Sequence, residues 1–170
     1  KFRGHLVSVM NGYASAGADL VPVVKGNGYG FGRGTLANEA SRLGCNRIAI
    51  GTVWELGQSL ADFPGEILVL EPFNSVDESA VVQWRQHLEH NADRVIVTVS
   101  SIDLASVRAA GAKNIYLEGK TSLSRFGMLH FDMQSLVNFN DLKVLGLSLH
   151  LPIAQSATKV DATTEISSAF

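Results

Sequence analysis

Short runs of apolar residues recur along the chain, each followed by a stretch with helical periodicity. The runs begin roughly 19 to 30 residues apart, which is the spacing of successive βα units. Their continuous apolar character is typical of parallel strands covered on both faces. The predicted strands are Leu20–Lys25, Ile48–Val53, Ile67–Glu71, Val95–Val99, Asn114–Glu118 and Val144–His150. Because no linker or low-complexity segment separates them, the pattern predicts one α/β domain.

Start and stop signals between these runs predict the helices. Leu36, Ala40 and Leu43 fall on one helical face, and Gly44 follows where a C-terminal glycine belongs. The residues from Ser75 to Glu78 have the spacing of a capping box ahead of the next helix. The other predicted helices cover residues 2–16, Val76–His90, Ile102–Ala110 (ending at Gly111) and Asp132–Phe139.

Polar or ionisable residues stand at the carboxyl end of every predicted strand. In parallel α/β folds this is the edge of the sheet that carries the chemistry. The six residues are Lys25, Thr52, Glu71, Ser100, Glu118 and His150. The alternative for Thr52, Glu71 and Ser100 is that a strand end is simply where the chain meets water.

Length, charge and cysteine content argue against several functional classes. The chain has 170 residues, fewer than the roughly 250 of a complete eight-stranded α/β barrel. Its net charge is −2 without blocks of like charge, which argues against nucleic acid or a membrane surface as a partner. The single cysteine, Cys45, excludes an internal disulfide and a thiolate metal cage, and it favours a reducing cytoplasm. The absence of a starting methionine is expected to reflect processing or excision from a longer chain.

The most informative segment runs from Val23 to Gly34, with glycine at every second position from Gly26 onward. It does not match the Rossmann or P-loop fingerprints. Such glycines let the backbone approach a ligand closely, and a helix from about Thr35 would direct its N-terminus at an anion. Lys25 ends an apolar strand, and an amine in apolar surroundings becomes a usable nucleophile for a carbonyl or for pyridoxal phosphate (PLP). The alternative is a lysine that extends into solvent.

Three segments resemble motifs of the alanine racemase family, in the same order and on the expected strands. The first, Val24-Lys-Gly-Asn-Gly-Tyr-Gly-Phe-Gly32, is similar to the family's V-K-A-N-A-Y-G-H-G. The second, Leu117-Glu-Gly-Lys-Thr-Ser-Leu-Ser-Arg-Phe-Gly127, is similar to L-K-x-D-T-G-M-x-R-L-G. The third, Gly146-Leu-Ser-Leu-His150, is similar to the G-x-x-x-H of the sixth barrel strand. The resemblance covers nearly the whole chain.

This resemblance implies an incomplete (β/α)8 TIM barrel, about six βα units of a fold-type III PLP enzyme that interconverts L- and D-alanine or a related small amino acid. Lys25 would hold PLP as an internal aldimine and serve as one of two acid/base groups. Tyr29 would bind the cofactor phosphate, and Arg125 would approach the PLP phenolic oxygen and the substrate carboxylate. His150 would support the arginine at the pyridine nitrogen, and no metal is expected.

The sequence also departs from the family pattern. Glu118 stands where many relatives have a lysine, and its carboxylate is predicted to hold Arg125 directly. Lys120, Ser122 and Phe31 replace the family's aspartate, glycine and histidine, and Gly26 and Gly28 replace its alanines. These changes put strict alanine specificity in doubt more than PLP binding.

The family's last two barrel strands, its C-terminal β domain and the second acid/base group cannot be placed in residues 1–170. We therefore expect weak activity at best from this stretch alone, and racemisation by a longer chain that works as a head-to-tail homodimer. A PLP-carrying module without catalysis, and another PLP reaction such as decarboxylation, remain as alternatives.

Other residues are functional candidates with weaker support in the sequence. His87 and His90 share a helical face but lack a third metal ligand nearby in sequence. Glu71 and Glu118 could form a glycosidase-like pair, although nothing in the sequence fixes their separation. Trp54 and Trp84 are expected to pack in the core or in an interface.

Overall fold

A computed structural model describes residues 2–136 and 141–151. Its five strands form one sheet in the order β1-β2-β3-β4-β5. Two compact units, Lys1–Leu68 and Val69–Phe170, are separated by the pattern of contacts, and each is described by itself. Within the described part of the chain, none of the helices is both long and apolar enough to cross a membrane.

The first unit begins with a long helix and then alternates helices with short strands. Its buried side chains come from the strands and from the helices that cover them, among them Ala37, Ile48, Ile50, Leu56 and Ile67. The elements are α1 (Phe2–Ser15), the helical turn α2 (Lys25–Gly28), α3 (Arg33–Arg42), β1 (Arg47–Ile50), a 3₁₀ turn (Val53–Glu55), α4 (Leu56–Asp62) and β2 (Glu66–Val69), which reaches the second unit.

The predicted strand Leu20–Lys25 is wrong in extent. Only Val23 pairs, in an isolated parallel bridge with Ala49. The Ala49 N–H donates to the Pro22 carbonyl and the Val24 N–H donates to the Ala49 carbonyl, both at 2.8 Å. Pro22 has no N–H to extend this pairing, and the chain turns into α2 at Lys25. Lys25 therefore opens a turn instead of ending a strand.

In the second unit, helices again alternate with strands. The remaining elements are α5 (Glu78–Asn91), β3 (Val95–Val99), α6 (Leu104–Ala109), β4 (Asn114–Gly119), α7 (His130–Leu136) and β5 (Lys143–Leu149). Strand β4 pairs in parallel with β3 and with β5, and the β4–β5 register shifts between Ile115 and Tyr116. Every residue of β3 is buried, as the continuous apolar run predicts. Residues 137–140 of the predicted fifth helix lie outside the described residues.

The sequence predicts the C-terminal ends of the helices, which are marked by glycines, more accurately than it predicts the N-terminal caps. Gly44 and Gly111 follow α3 and α6 with φ of +77° and +94°, the left-handed conformation that a helix-ending glycine supplies. The predicted capping box from Ser75 is wrong, because α5 starts two residues later than predicted, with Asp77 as its N-cap. Asp77 Oδ1 accepts from the Ala80 N–H at 3.0 Å.

The two tryptophans lie in different environments. Trp84 is buried and its ring centroid lies 6.0 Å from that of Phe73. Trp54 is 56% exposed, so of the two predicted environments, core or interface, the core is excluded for this residue.

Candidate functional site

In the first unit, the candidate site is the lysine loop, which we define as residues 25–32. Gly26, Gly28, Gly30 and Gly32 all have φ between +57° and +92°. The Asn27 carbonyl accepts from the N–H groups of Gly30 and Gly32 at 3.1 and 3.0 Å, which closes the loop on itself. Helix α3 begins immediately after it, at Arg33, two residues earlier than the sequence suggested.

Lys25 is half-buried and follows Val24, which is 1% exposed. The base of its side chain lies against the residue that follows β1, since a Cβ atom built on Gly51 would lie 3.2 Å from the Lys25 Cβ. No hydrogen bond or ion pair of the Lys25 amine is found among residues 2–136 and 141–151. The base of the side chain is thus fixed, while its amine is left without a partner among the described residues.

Gly26 is the residue that turns the chain after Lys25. Its backbone angles, φ 63° and ψ −139°, are accessible essentially only to glycine. One side chain binds the N–H of Gly26 and another binds its carbonyl. The Gly26 N–H donates to Glu55 Oε1 at 2.6 Å, and the Gly26 carbonyl accepts from Arg33 Nη2 at 2.8 Å and Nε at 3.1 Å.

Glu55 also reaches the end of β1. Its Oε2 accepts from the Gly51 N–H at 2.5 Å and from the Thr52 N–H at 3.4 Å. The same carboxylate lies 3.6 Å from the Arg33 guanidinium, and the two side chains are only 12% and 16% exposed. Sequence reasoning did not single out Glu55 or Arg33. The one available signal was the Thr52-x-x-Glu55 spacing of a capping box.

Tyr29, the predicted phosphate ligand, lies at the tip of the lysine loop. It takes a left-handed conformation with φ 53°, which is uncommon for a residue with a side chain. Its side chain is 65% exposed. The phenol hydroxyl is therefore open to a ligand.

In the second unit, the candidate site is the arginine loop, which we define as residues 119–128. Gly119 and Met128 form an isolated parallel bridge, with hydrogen bonds of 2.8 Å from Met128 N–H to the Glu118 carbonyl and from Lys120 N–H to the Met128 carbonyl. A Cβ atom on Gly127 would lie 2.5 Å from the Gly119 carbonyl carbon. The loop can close only because residue 127 is glycine.

Arg125 is exposed on the arginine loop, with its guanidinium carbon 5.4 Å from the centroid of the Phe126 ring. Within residues 2–136 and 141–151 its guanidinium makes no ion pair or hydrogen bond. The predicted direct ion pair with Glu118 is therefore not formed. The positive charge of Arg125 acts on that carboxyl only from a longer distance.

Glu118 is a buried carboxyl at the end of β4, with 4% of its surface exposed. Its Oε2 atom has no hydrogen-bond partner among the described residues. Burial raises the pKa of Glu118, and the charge of Arg125 partly opposes that rise. The structure thus places a carboxyl with a free oxygen and an accessible guanidinium in the same unit.

His150 follows β5 and has an exposed side chain. Its carbonyl accepts a 2.7 Å hydrogen bond from the Thr121 hydroxyl, which joins the arginine loop to the end of the neighbouring strand. The structure therefore connects the second and third sequence motifs through a direct contact.

The remaining strand-end residues show less sign of function. Glu71 and Ser100 follow β2 and β3, but only Glu118 of the second unit's carboxyls has a buried oxygen without a partner in the described ranges. Burial lowers the pKa of His87. Around it and His90, as elsewhere in the described residues, no three metal-ligating side chains come together.

Comparison with known proteins connects these loops to one family. The family model described as "Alanine racemase, N-terminal domain" matches residues 5–169. A search of curated proteins gives no match.

Solved structures share the fold at low sequence identity. Alanine racemase from Streptomyces coelicolor A3(2) has 21% identity and a TM-score of 0.70, over 97% of this chain and 45% of its own. The Clostridium difficile 630 alanine racemase in complex with cycloserine has 15% identity and a TM-score of 0.70, over 87% of this chain and 42% of its own. Alanine racemase from Oenococcus oeni has 21% identity and a TM-score of 0.68, over 95% of this chain and 46% of its own.

The chain thus spans less than half the length of these solved relatives. The family model matches nearly all residues of this chain, and the fold shared with the solved structures agrees with that match. The chain belongs to the alanine racemase N-terminal domain family, and its sheet and helices form part of that family's α/β barrel.

Proposed function

We propose that this chain is the PLP-binding part of an amino-acid racemase that interconverts the L and D forms of alanine or of a related small amino acid. The observation that carries the proposal is Lys25, an amine without a partner in the described ranges, on a glycine loop whose backbone is held from both sides. Family membership supplies the cofactor class.

The lysine loop fits PLP by the chemistry of its groups. It offers an amine for an aldehyde and an exposed phenol hydroxyl for a phosphate. Cβ atoms built on Gly26 and Gly30 would meet no atom within 4 Å, so the loop leaves open space beside both groups. The ten-residue helix α3 that follows adds favourable N–H groups for an anion.

The chain's own residues then have distinct tasks. When bound, PLP supplies an electron sink that acidifies the substrate Cα–H bond. Lys25 Nζ would hold the cofactor through its aldehyde and, as a free amine while the substrate is bound, would move the substrate's α-proton on its own face. Tyr29 would hold the phosphate, and Arg125 would approach the cofactor's phenolic oxygen and bind the substrate carboxylate by charge-assisted hydrogen bonds. His150 would support the arginine expected at the pyridine nitrogen.

Racemisation requires a second proton donor on the opposite face, and we assign no residue of this chain to that role. The complete reaction is therefore proposed for a longer, dimeric protein of which these residues are a part. We further propose that it works in the cytoplasm, where the free thiol of Cys45 remains reduced.

The decisive experiment is a PLP titration of the full protein followed by visible absorbance. The bound cofactor is then reduced with borohydride and the labelled peptide is mapped. We expect the label on Lys25, and loss of the covalent absorption band in Lys25→Ala. Lys113→Ala, which removes an exposed lysine paired with Asp93, is the control and should bind PLP normally.

An unchanged absorption band in Lys25→Ala would remove this residue from its proposed role. Covalent PLP at Lys25 without interconversion of L- and D-alanine would instead favour a carrier module or a different amino-acid substrate. Chiral analysis of several small amino acids separates these two outcomes.

A further inference from the structure

The Glu55 carboxylate joins two chain segments that flank Lys25. Oε1 accepts from the residue after the lysine, Gly26, and Oε2 accepts from Gly51, whose backbone lies against the lysine side chain. A capping-box glutamate needs to accept only from the N-cap backbone, here Thr52. The additional bonds to Gly26 and Gly51 go beyond the requirements of the 3₁₀ turn.

Arg33 completes the arrangement at the other backbone group of Gly26, its carbonyl. Two nitrogens of its planar guanidinium hold the Gly26 carbonyl, and a third donates to Gln58 Oε1 at 3.2 Å. Because Arg33 also lies 3.6 Å from Glu55, the carboxylate has an opposite charge beside it in a largely buried place. The N–H and the carbonyl of Gly26 are thus both fixed by charged side chains.

This arrangement acts on the direction of the lysine. The direction of the Lys25 Cα–Cβ bond depends on how the following peptide group is held. That group leads into Gly26, whose backbone angles essentially only glycine adopts, and its N–H is bound by Glu55. A reactive amine must be held close to its productive position, since small displacements reduce reactivity strongly.

We propose that Glu55 and Arg33 are positioning residues that orient Lys25 toward the cofactor aldehyde. The proposal rests on the proposed function, because it assumes that Lys25 forms the covalent link to PLP. Neither residue is assigned a contact with the cofactor or the substrate. Their effect should therefore appear in formation of the covalent link and not in the noncovalent binding of the phosphate.

The test uses the full protein and two cofactor probes. PLP can link to Lys25, whereas pyridoxine 5′-phosphate carries an alcohol in place of the aldehyde and cannot. Glu55→Gln keeps the size of the side chain but replaces one acceptor oxygen with a donor. We expect it to weaken PLP binding by about tenfold or more, to slow formation of the covalent band, and to leave the affinity for pyridoxine 5′-phosphate unchanged.

Two further variants protect the test against misfolding of Glu55→Gln. Gly51→Ala would place a Cβ atom 3.2 Å from both the Lys25 Cβ and Glu55 Oε2, so it would displace the lysine and the carboxylate without removing either charge of the Glu55–Arg33 pair. Arg33→Lys keeps the charge but loses the two-pronged grip on the Gly26 carbonyl. Both should show the same selective loss with PLP. The control is Glu39→Gln in the same unit, a glutamate outside the lysine loop that pairs with Arg3 and Arg42.

The outcomes separate this inference from the proposed function. Wild-type protein that forms no link at Lys25 would overturn both. A normal link in the wild type, with PLP binding and the rate of linkage unchanged in Glu55→Gln and Gly51→Ala, would overturn the positioning role alone. Equal weakening for PLP and pyridoxine 5′-phosphate would also overturn it, because the pair would then shape the loop without orienting the lysine.

Discussion

The lysine loop and the arginine loop both depend on glycine, but different interactions hold them. In the lysine loop, the side chains of Glu55 and Arg33 bind the peptide groups of Gly26. In the arginine loop, the backbone of Gly119 pairs directly with Met128, and Gly127 allows the approach. A loop held by side chains can be altered by changing a charge, whereas a loop held by backbone contacts depends on the absence of a Cβ atom.

The largest effect should come from Gly127→Ala. Its Cβ atom would lie 2.5 Å from the Gly119 carbonyl carbon, and its φ of +107° is strained for any residue with a side chain. We expect a loss of about 3 kcal/mol or more in the free energy of unfolding, measured by denaturant unfolding of the purified protein.

A matched glycine separates backbone strain from the clash. Gly44→Ala shares a positive φ of +77° but meets no atom within 4 Å, so it should cost only about 1 kcal/mol. Similar losses for the two variants would show that the backbone contact between Gly127 and Gly119 is not what closes the arginine loop.

A smaller effect is expected from Thr121→Val, which removes the hydroxyl that donates to the His150 carbonyl at 2.7 Å. Because Thr121 is only 8% exposed, the free energy of unfolding should fall by about 1 kcal/mol, as measured by thermal melting. The exposed Ser101→Ala serves as the control. If Thr121→Val melts like the wild type, the bond from Thr121 to the His150 carbonyl does not contribute to the stability of the arginine loop.

Glu118 adds a pH dependence to the arginine loop. Burial raises the pKa of this carboxyl in the folded state. Protonated Glu118 therefore favours folding, and stability is lost as the pH rises from the unfolded pKa through the raised folded value. Glu118→Gln cannot titrate, so its melting temperature relative to the wild type should increase as the pH rises above about 4, the ordinary range of a glutamate carboxyl.

Exposed Glu89→Gln is the comparison for that pH series. A difference between Glu118→Gln and the wild type that stays constant with pH would mean that Glu118 does not titrate differently in the folded and unfolded states.

The smallest effect should come from Lys113→Ala, which removes an ion pair with Asp93. The two side chains are 58% and 82% exposed, so the free energy of unfolding should change by no more than about 0.5 kcal/mol. A larger loss would contradict the view that charges stabilise this protein mainly where they are buried against backbone, as at Glu55.

The sequence predicted regular structure best where one local signal dominates. Strand Val95–Val99 has the predicted bounds because a run of β-branched residues, all apolar except Thr98, suits a strand buried on both faces. The first strand was predicted too long, because Pro22 and the turn at Gly26 limit pairing to Val23. The cap at Asp77 was displaced from Ser75 because several acceptors near a helix start compete for the same N–H groups.

The residues expected to bind PLP were found from short motifs, but their supports were not. Glu55 lies 29 residues from Gly26 along the chain, and no local pattern shows that these residues meet. The direct ion pair of Glu118 with Arg125 was wrong for a related reason. Residue types indicate which charges attract each other, whereas the course of the loop decides whether they come within contact distance.

The sequence by itself determined the alternation of strands and helices, and it identified Lys25 as the lysine predicted to bind PLP together with the glycines that follow it. These features depend on local periodicity, short motifs and backbone freedom. Only the tertiary structure decided that Glu55 and Arg33 hold the peptide after Lys25, that Gly127 lies against Gly119, and that a Glu118 oxygen is buried without a partner in the described residues. These contacts depend on which strand ends become neighbours, and that is settled when the sheet assembles.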